Sequence, residues 1–82
     1  MLRVDFVGNL GADPEIGTTR KNAPLATLRV AVNQTRLDPT TGERQQSSEW
    51  FRVRAGGRLV QLAERLESGG RLLVIGRLEI GQ

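Results

Sequence analysis

Trp50, Arg52 and Arg54 occupy alternate positions of the run Ser48-Glu49-Trp50-Phe51-Arg52-Val53-Arg54, and Trp50 is the only tryptophan in the chain. Successive side chains of a strand point to opposite faces, so these three share one face while Phe51, Val53 and Ala55 share the other. The second set has the character of a core face. The first offers a ring on which an unpaired base can stack and guanidinium groups for neighbouring phosphates, which is what a single-stranded nucleic acid requires. The pattern also admits a plainer reading, in which Trp50 is a half-buried anchor lying on the aliphatic stems of its neighbours.

Few other residues could do chemistry. The chain has no His, Cys or Tyr, and its carboxylates are scattered: Asp13 before a proline, Asp38 near a loop tip, Glu64 and Glu67 on the polar side of a helix. These read as turn formers and solubilising charges. No phosphate-cradling loop or cluster of metal ligands is visible, and Gly8 and Gly11 read as positions that permit a bulge or tight turn after the first strand. An enzyme is not expected, nor a cofactor, a bound metal or a small-molecule substrate.

The chain's 82 residues suit one small domain, residues 1–82, of a size that buries only about 60% of its unfolded surface. Without cysteine no disulfide or thiolate metal site can reinforce it, which leaves oligomerisation as the route to added stability and is compatible with a reducing compartment. The start, Met1 to Val7, lacks a signal-peptide layout, and no apolar run approaches the about 20 residues a membrane span needs. The expectation is a soluble cytoplasmic protein with no membrane partner. Twelve basic and nine acidic side chains leave a formal charge of +3, and eleven of the twelve are arginine, with Lys21 the exception. Arginine pairs with phosphate through a planar fork and stacks on bases; a compositional preference of the genome would give the same bias.

The elements that would position Trp50 can be read in order. Leu2 to Leu10, with Val4 and Phe6 on one face, reads as a first strand ending in the turn-forming Gly8-Asn9-Leu10-Gly11 and Asp13-Pro14. Leu25 to Asn33 reads as a second, with Leu28, Val30 and Val32 facing one way and Thr27, Arg29 and Ala31 the other. The polar span from Gln34 to Ser47, with Asp38-Pro39-Thr40-Thr41-Gly42-Glu43 at its tip, reads as a long functional loop leading to the Trp50 strand. After Gly56-Gly57, the apolar positions Leu59, Leu62, Ala63 and Leu66 recur at helical spacing, with Gly69-Gly70 as the stop. Arg71 to Ile80 is extended again. Its two faces are both partly apolar, Leu72, Val74 and Leu78 against Leu73 and Ile75, so the second face is expected to meet another subunit or a covering loop. Strand, strand, strand, helix, strand is the layout of the OB-fold, an all-β, five-stranded Greek-key barrel with one helix between strands three and four. Here the fifth strand is expected to be missing.

Four blocks carry a family resemblance: Val7-Gly8-Asn9-Leu10-Gly11-Ala12-Asp13-Pro14-Glu15, Thr41-Gly42-Glu43, Glu49-Trp50-Phe51-Arg52-Val53, and Gly69-Gly70 through Gly76-Arg77-Leu78. In this order they resemble the bacterial single-stranded DNA-binding proteins, from residue 3 to about 80. The resemblance implies an OB domain that forms homodimers or homotetramers and binds single-stranded DNA without reading its bases, in replication, recombination and repair at the nucleoid. It matches Trp50 to a base-stacking tryptophan. Arg36 stands where relatives often have another tryptophan, Gly56 where they have phenylalanine, and a further family aromatic would follow Gln82. More of the grip is therefore expected from arginine. The candidate nucleic-acid-binding residues are Trp50, Arg52, Arg54, Arg29, Arg36, Arg77, Arg3, Arg20 and Lys21. Relatives continue through a hairpin, a fifth strand, a linker and an acidic tail. The expected remedy for the open edge is pairing between subunits with the first strand at the seam. Two other classes fit the lost aromatics: an OB module turned to protein partners, such as a primosomal relative, and an RNA-binding OB module.

Overall fold

The structure, a computed structural model, describes residues 1–79. Five strands and one short helix follow in the order β1 (Leu2–Leu10), β2 (Glu15–Thr18), β3 (Pro24–Leu37), β4 (Arg44–Gly56), α1 (Leu59–Ala63) and β5 (Arg71–Leu78). All strand pairings are antiparallel. β3 is the spine: β4 runs along one of its edges, while β2 and then β1 share the other, and β5 pairs with the far side of β1. Across the sheet this gives β4, β3, β1, β5, with β4 and β5 as the outer strands.

The core collects on one side of the sheet. Ala26, Leu28 and Val30 of β3 are buried together with Leu10, Val60 and Ala63, and Phe6, Val53, Ala55, Leu66, Leu72 and Val74 pack around them. Alternation in each strand produces this: the even-numbered apolar residues of β3 face inward with the odd-numbered ones of β4, as the register Val30↔Phe51 and Leu28↔Val53 requires. Phe6 and Phe51 stack with ring centroids 4.6 Å apart, joining β1 to β4 across the interior.

Four expectations are corrected. The span 34–47 is not a loop: β3 continues to Leu37 and β4 begins at Arg44, leaving 38–43 as the turn. Polar residues with both faces in water still pair in a ladder when the strands are already aligned by a buried stretch next to them. A 14-residue strand is about 46 Å long, so this hairpin accounts for most of the molecule's 53 Å long axis. Second, Glu15–Thr18 is an additional strand paired with Pro24–Thr27, too short and too exposed to show a periodic pattern. Ile80, expected as the end of the last strand, lies outside the described residues.

Third, α1 is a short helix whose buried residues are Val60 and Ala63, while Leu59 and Leu62 are exposed. Its stop is not Gly69-Gly70. That pair instead clamps β1, Leu10 N–H donating to the Gly70 carbonyl at 2.8 Å and Gly69 N–H to the Leu10 carbonyl at 2.7 Å; Gly69 has φ +89°. Fourth, Gly8 marks a close approach rather than a turn. A Cβ there would lie 2.6 Å from Val30 Cγ1 and 2.7 Å from the Ala31 carbonyl oxygen, so only glycine lets β1 cross this tightly over β3.

Candidate nucleic-acid interface

The β3–β4 ladder keeps one register without a bulge from Leu25↔Gly56 to Leu37↔Arg44. Residues directly opposite share a face, so Thr27, Arg29, Ala31, Asn33, Thr35 and Leu37 stand outward with Arg54, Arg52, Trp50, Ser48, Gln46 and Arg44. No carboxylate belongs to this face of the hairpin. Trp50 is 60% exposed, so the indole stands out from the sheet rather than in the core. Arg29 and Arg52 are directly opposite each other, a like-charge cross-strand pair that costs stability until an anion lies between the two. Among the described residues the one ion pair is Arg77–Glu79, at 2.7 Å, so no acid neutralises these arginines.

Small residues form the floor under the indole. Ala31 faces outward yet is buried, between its register partners Trp50 on β4 and Asn9 on β1. At the end of β1 a Cβ on Gly11 would fall 2.6 Å from Trp50 Cη2, so the benzo end of the ring rests on the main chain there. A shallow concavity continues from this floor past Val7, Asn9, Ala31 and Asn33 to Arg71. Farther out, Ser48 Oγ donates to Asn33 Oδ1 at 2.8 Å, tying the arms of the hairpin together. At its tip Thr40 N–H donates to Asp38 Oδ1 at 2.8 Å, and this bond, with help from Thr41, holds the Asp38 carboxyl below the ordinary aspartate range.

The nine candidate residues therefore separate. Trp50, Arg52, Arg54 and Arg29 come together on one face as expected. Arg36 does not join them: it pairs with Gln45 and, by the alternation, stands on the reverse face of the arm with Gln34 and Ser47. Its place is taken by Arg44, which the reading of 34–47 as a loop concealed; parity along a continuous strand would have found it. Arg3 and Arg77 are cross-strand partners on the β1–β5 flank, away from Trp50, and Arg77 is engaged by Glu79. Arg20 and Lys21 are exposed in the tight β2–β3 turn closed by Thr19 N–H donating to the Ala23 carbonyl at 2.8 Å. The pairing Leu25↔Gly56 puts this turn at the Arg54 end of the hairpin. Among the described residues no group of three or more His, Cys, Asp or Glu side chains could hold a metal ion, and no helix is long and apolar enough to cross a membrane.

A curved antiparallel sheet of this connectivity, with a helix entering before the last strand and an open face carrying an aromatic ring among cations, defines an OB-fold protein. The model of the single-strand binding protein family matches residues 1–82. The chain is 37% identical over 79 residues to a single-stranded DNA-binding protein of Rhizobium meliloti, covering 94% of this chain and 45% of that one. It is 36% identical over 77 residues to single-stranded DNA-binding protein 1 of Xylella fastidiosa, covering 93% and 57%. The SSB of Plasmodium falciparum, solved in complex with ssDNA, superposes with a TM-score of 0.83 at 25% identity, covering 94% of this chain and 69% of that one. The chain belongs to the single-strand binding protein family, and it spans about half the length of the two curated relatives.

Proposed function

We propose that residues 1–82 act as one domain that binds single-stranded DNA without reading its bases, and that it coats strands exposed in replication, recombination and repair at the nucleoid. The observation that carries this reading is the carboxylate-free outward face of the β3–β4 hairpin, where exposed Trp50 stands beside Arg29, Arg52 and Arg54. Trp50 stacks a base; Arg29 and Arg52 close on a phosphate that relieves their repulsion; Arg54 and Arg44 extend the cationic track in both directions. Arg20 and Lys21 flank the Arg54 end. Stacking and phosphate pairing break no bond, so the function needs no catalytic group.

Titration with oligothymidine tests it. Binding should quench Trp50 fluorescence, and affinity should fall with salt with a log–log slope of about −0.7 per neutralised phosphate. Trp50→Ala, followed by anisotropy of a labelled oligonucleotide, should lose about 1–3 kcal/mol. A folded Trp50→Ala protein with unchanged affinity, or wild-type binding indifferent to salt, would falsify the reading; a stronger grip on a matched RNA oligomer would reassign the ligand.

The partner on the β1–β5 region is a second copy of the chain. Val7, Leu73 and Ile75 form an outward apolar patch on β1 and β5, with Leu73 66% and Ile75 64% exposed. Burying it between copies would give a homodimer or homotetramer and leave the β3–β4 hairpin for the strand.

A further inference from the structure

Among the described residues, Gly11 is the one glycine whose missing side chain makes room for an aromatic ring. A Cβ at this position would meet Trp50 Cη2 at 2.6 Å and come closer still to Cζ3, while the next neighbour, the Arg29 carbonyl oxygen, is at an ordinary 3.6 Å. The requirement is for space and not for conformation, since the glycines with positive φ among the described residues are Gly42, Gly57 and Gly69. Nor can the backbone move aside. Gly11 N–H donates to the Arg29 carbonyl at 2.8 Å, and the adjacent Leu10 is bonded through both its N–H and its carbonyl to Gly70 and Gly69. Gly11 is thus fixed to β3 on one side and to the segment before β5 on the other. The indole, anchored on β4, reaches across Ala31 to a rigid rest.

We infer that Gly11 is a positioning residue for strand binding: it seats the benzo end of Trp50 so that the ring is ordered before a base arrives. The inference rests on the proposed function and deepens it. A side chain ordered on folding loses little further freedom on binding, so a free protein with the ring already seated binds more tightly than one in which the ring must be placed. Any side chain at position 11 lifts the indole off this rest without touching a cation.

The test is a double-mutant cycle in the full chain with Gly11→Ala, Trp50→Ala and the double variant. It is read by oligothymidine affinity, by circular dichroism and, where the ring is present, by tryptophan fluorescence of the free protein. Gly11→Ala should weaken binding roughly tenfold, within the range of losing a stack, and should lower the steady-state anisotropy of free Trp50. In the Trp50→Ala background the same substitution should change nothing, because the ring it displaces is gone. Should Gly11→Ala not fold, the double variant must fold as well as Trp50→Ala does, since the Cβ then has only the Arg29 carbonyl oxygen beside it, at an ordinary 3.6 Å. Two results overturn the inference: unchanged affinity and anisotropy in folded Gly11→Ala while Trp50→Ala weakens binding, or failure of both Gly11→Ala and the double variant to fold. If Trp50→Ala alone leaves affinity unchanged, the strand-binding reading is what fails, and the anisotropy of free Gly11→Ala then decides whether Gly11 seats the ring.

Discussion

Arg44 and Arg36 lie close to the tip of the same hairpin and differ by which face the alternation gives them. Arg44 shares the outward face with Trp50, whereas Arg36 is on the reverse. Replacing Arg44 with Ala should therefore weaken oligothymidine binding and reduce the salt slope by about 0.7, the share of one phosphate. Arg36→Ala should leave the slope unchanged. Equal slopes for the two variants would mean that the arm twists or moves enough to make its faces equivalent. Arg29 and Arg52 form the other informative pair. Their direct opposition is an unfavourable arrangement in the free protein, and a charge pattern that costs stability at rest is understandable where a phosphate is to lie between the two groups.

Among the elements, β1 shows how close packing replaces bulk in a small core. It pairs with β5 from Leu2 to Asn9 and with β3 at Asn9 and Leu10, so Asn9 has a strand on either side. Gly8 makes this crossing possible. Gly8→Ala should destabilise the fold by about 1–3 kcal/mol, the usual cost of forcing atoms into a filled site, seen as a lower midpoint in urea. Gly17 in β2 provides the contrast, because a Cβ there meets nothing within 4 Å. Gly17→Ala should be neutral or stabilise by about 0.5–1 kcal/mol. If both substitutions shift the midpoint equally, the close approach of β1 over β3 is not what Gly8 provides.

The outward side of the sheet carries two regions of opposite chemistry, a cationic, aromatic one on the β3–β4 hairpin and an apolar one on β1 and β5, continuous through Asn9 and Ala31. Their lateral separation lets a protein bind a polyanion on one region and associate through the other. Exposed Leu73 and Ile75 flanking Val7 would otherwise leave a chain of 82 residues with an unburied patch that its small core can ill sustain. Sedimentation should show an oligomer at micromolar concentration, and Ile75→Glu should shift it toward monomer while Trp50 quenching by oligothymidine persists. An unchanged sedimentation coefficient for a folded Ile75→Glu protein would place the association surface elsewhere.

The Trp50 strand and the second strand were legible in the chain, because each alternates against a core and alternation survives in any fold that buries one face of a sheet, and the last strand, apolar on both faces, was legible as an extended run. That Trp50, Arg52 and Arg54 share one outward face follows from that parity alone. The hairpin arm was not legible: with both faces in water, residues 33–37 and 44–48 carry no hydrophobic period, and only pairing with the strand opposite tells a ladder from a loop. The same holds for the helix, where Val60 rather than Leu59 or Leu62 turns inward because β3 and β4 fix its orientation over the core. Gly11 likewise became a rest for the indole only when folding brought the end of β1 beneath a ring 39 residues later in the chain, a proximity that no local pattern encodes.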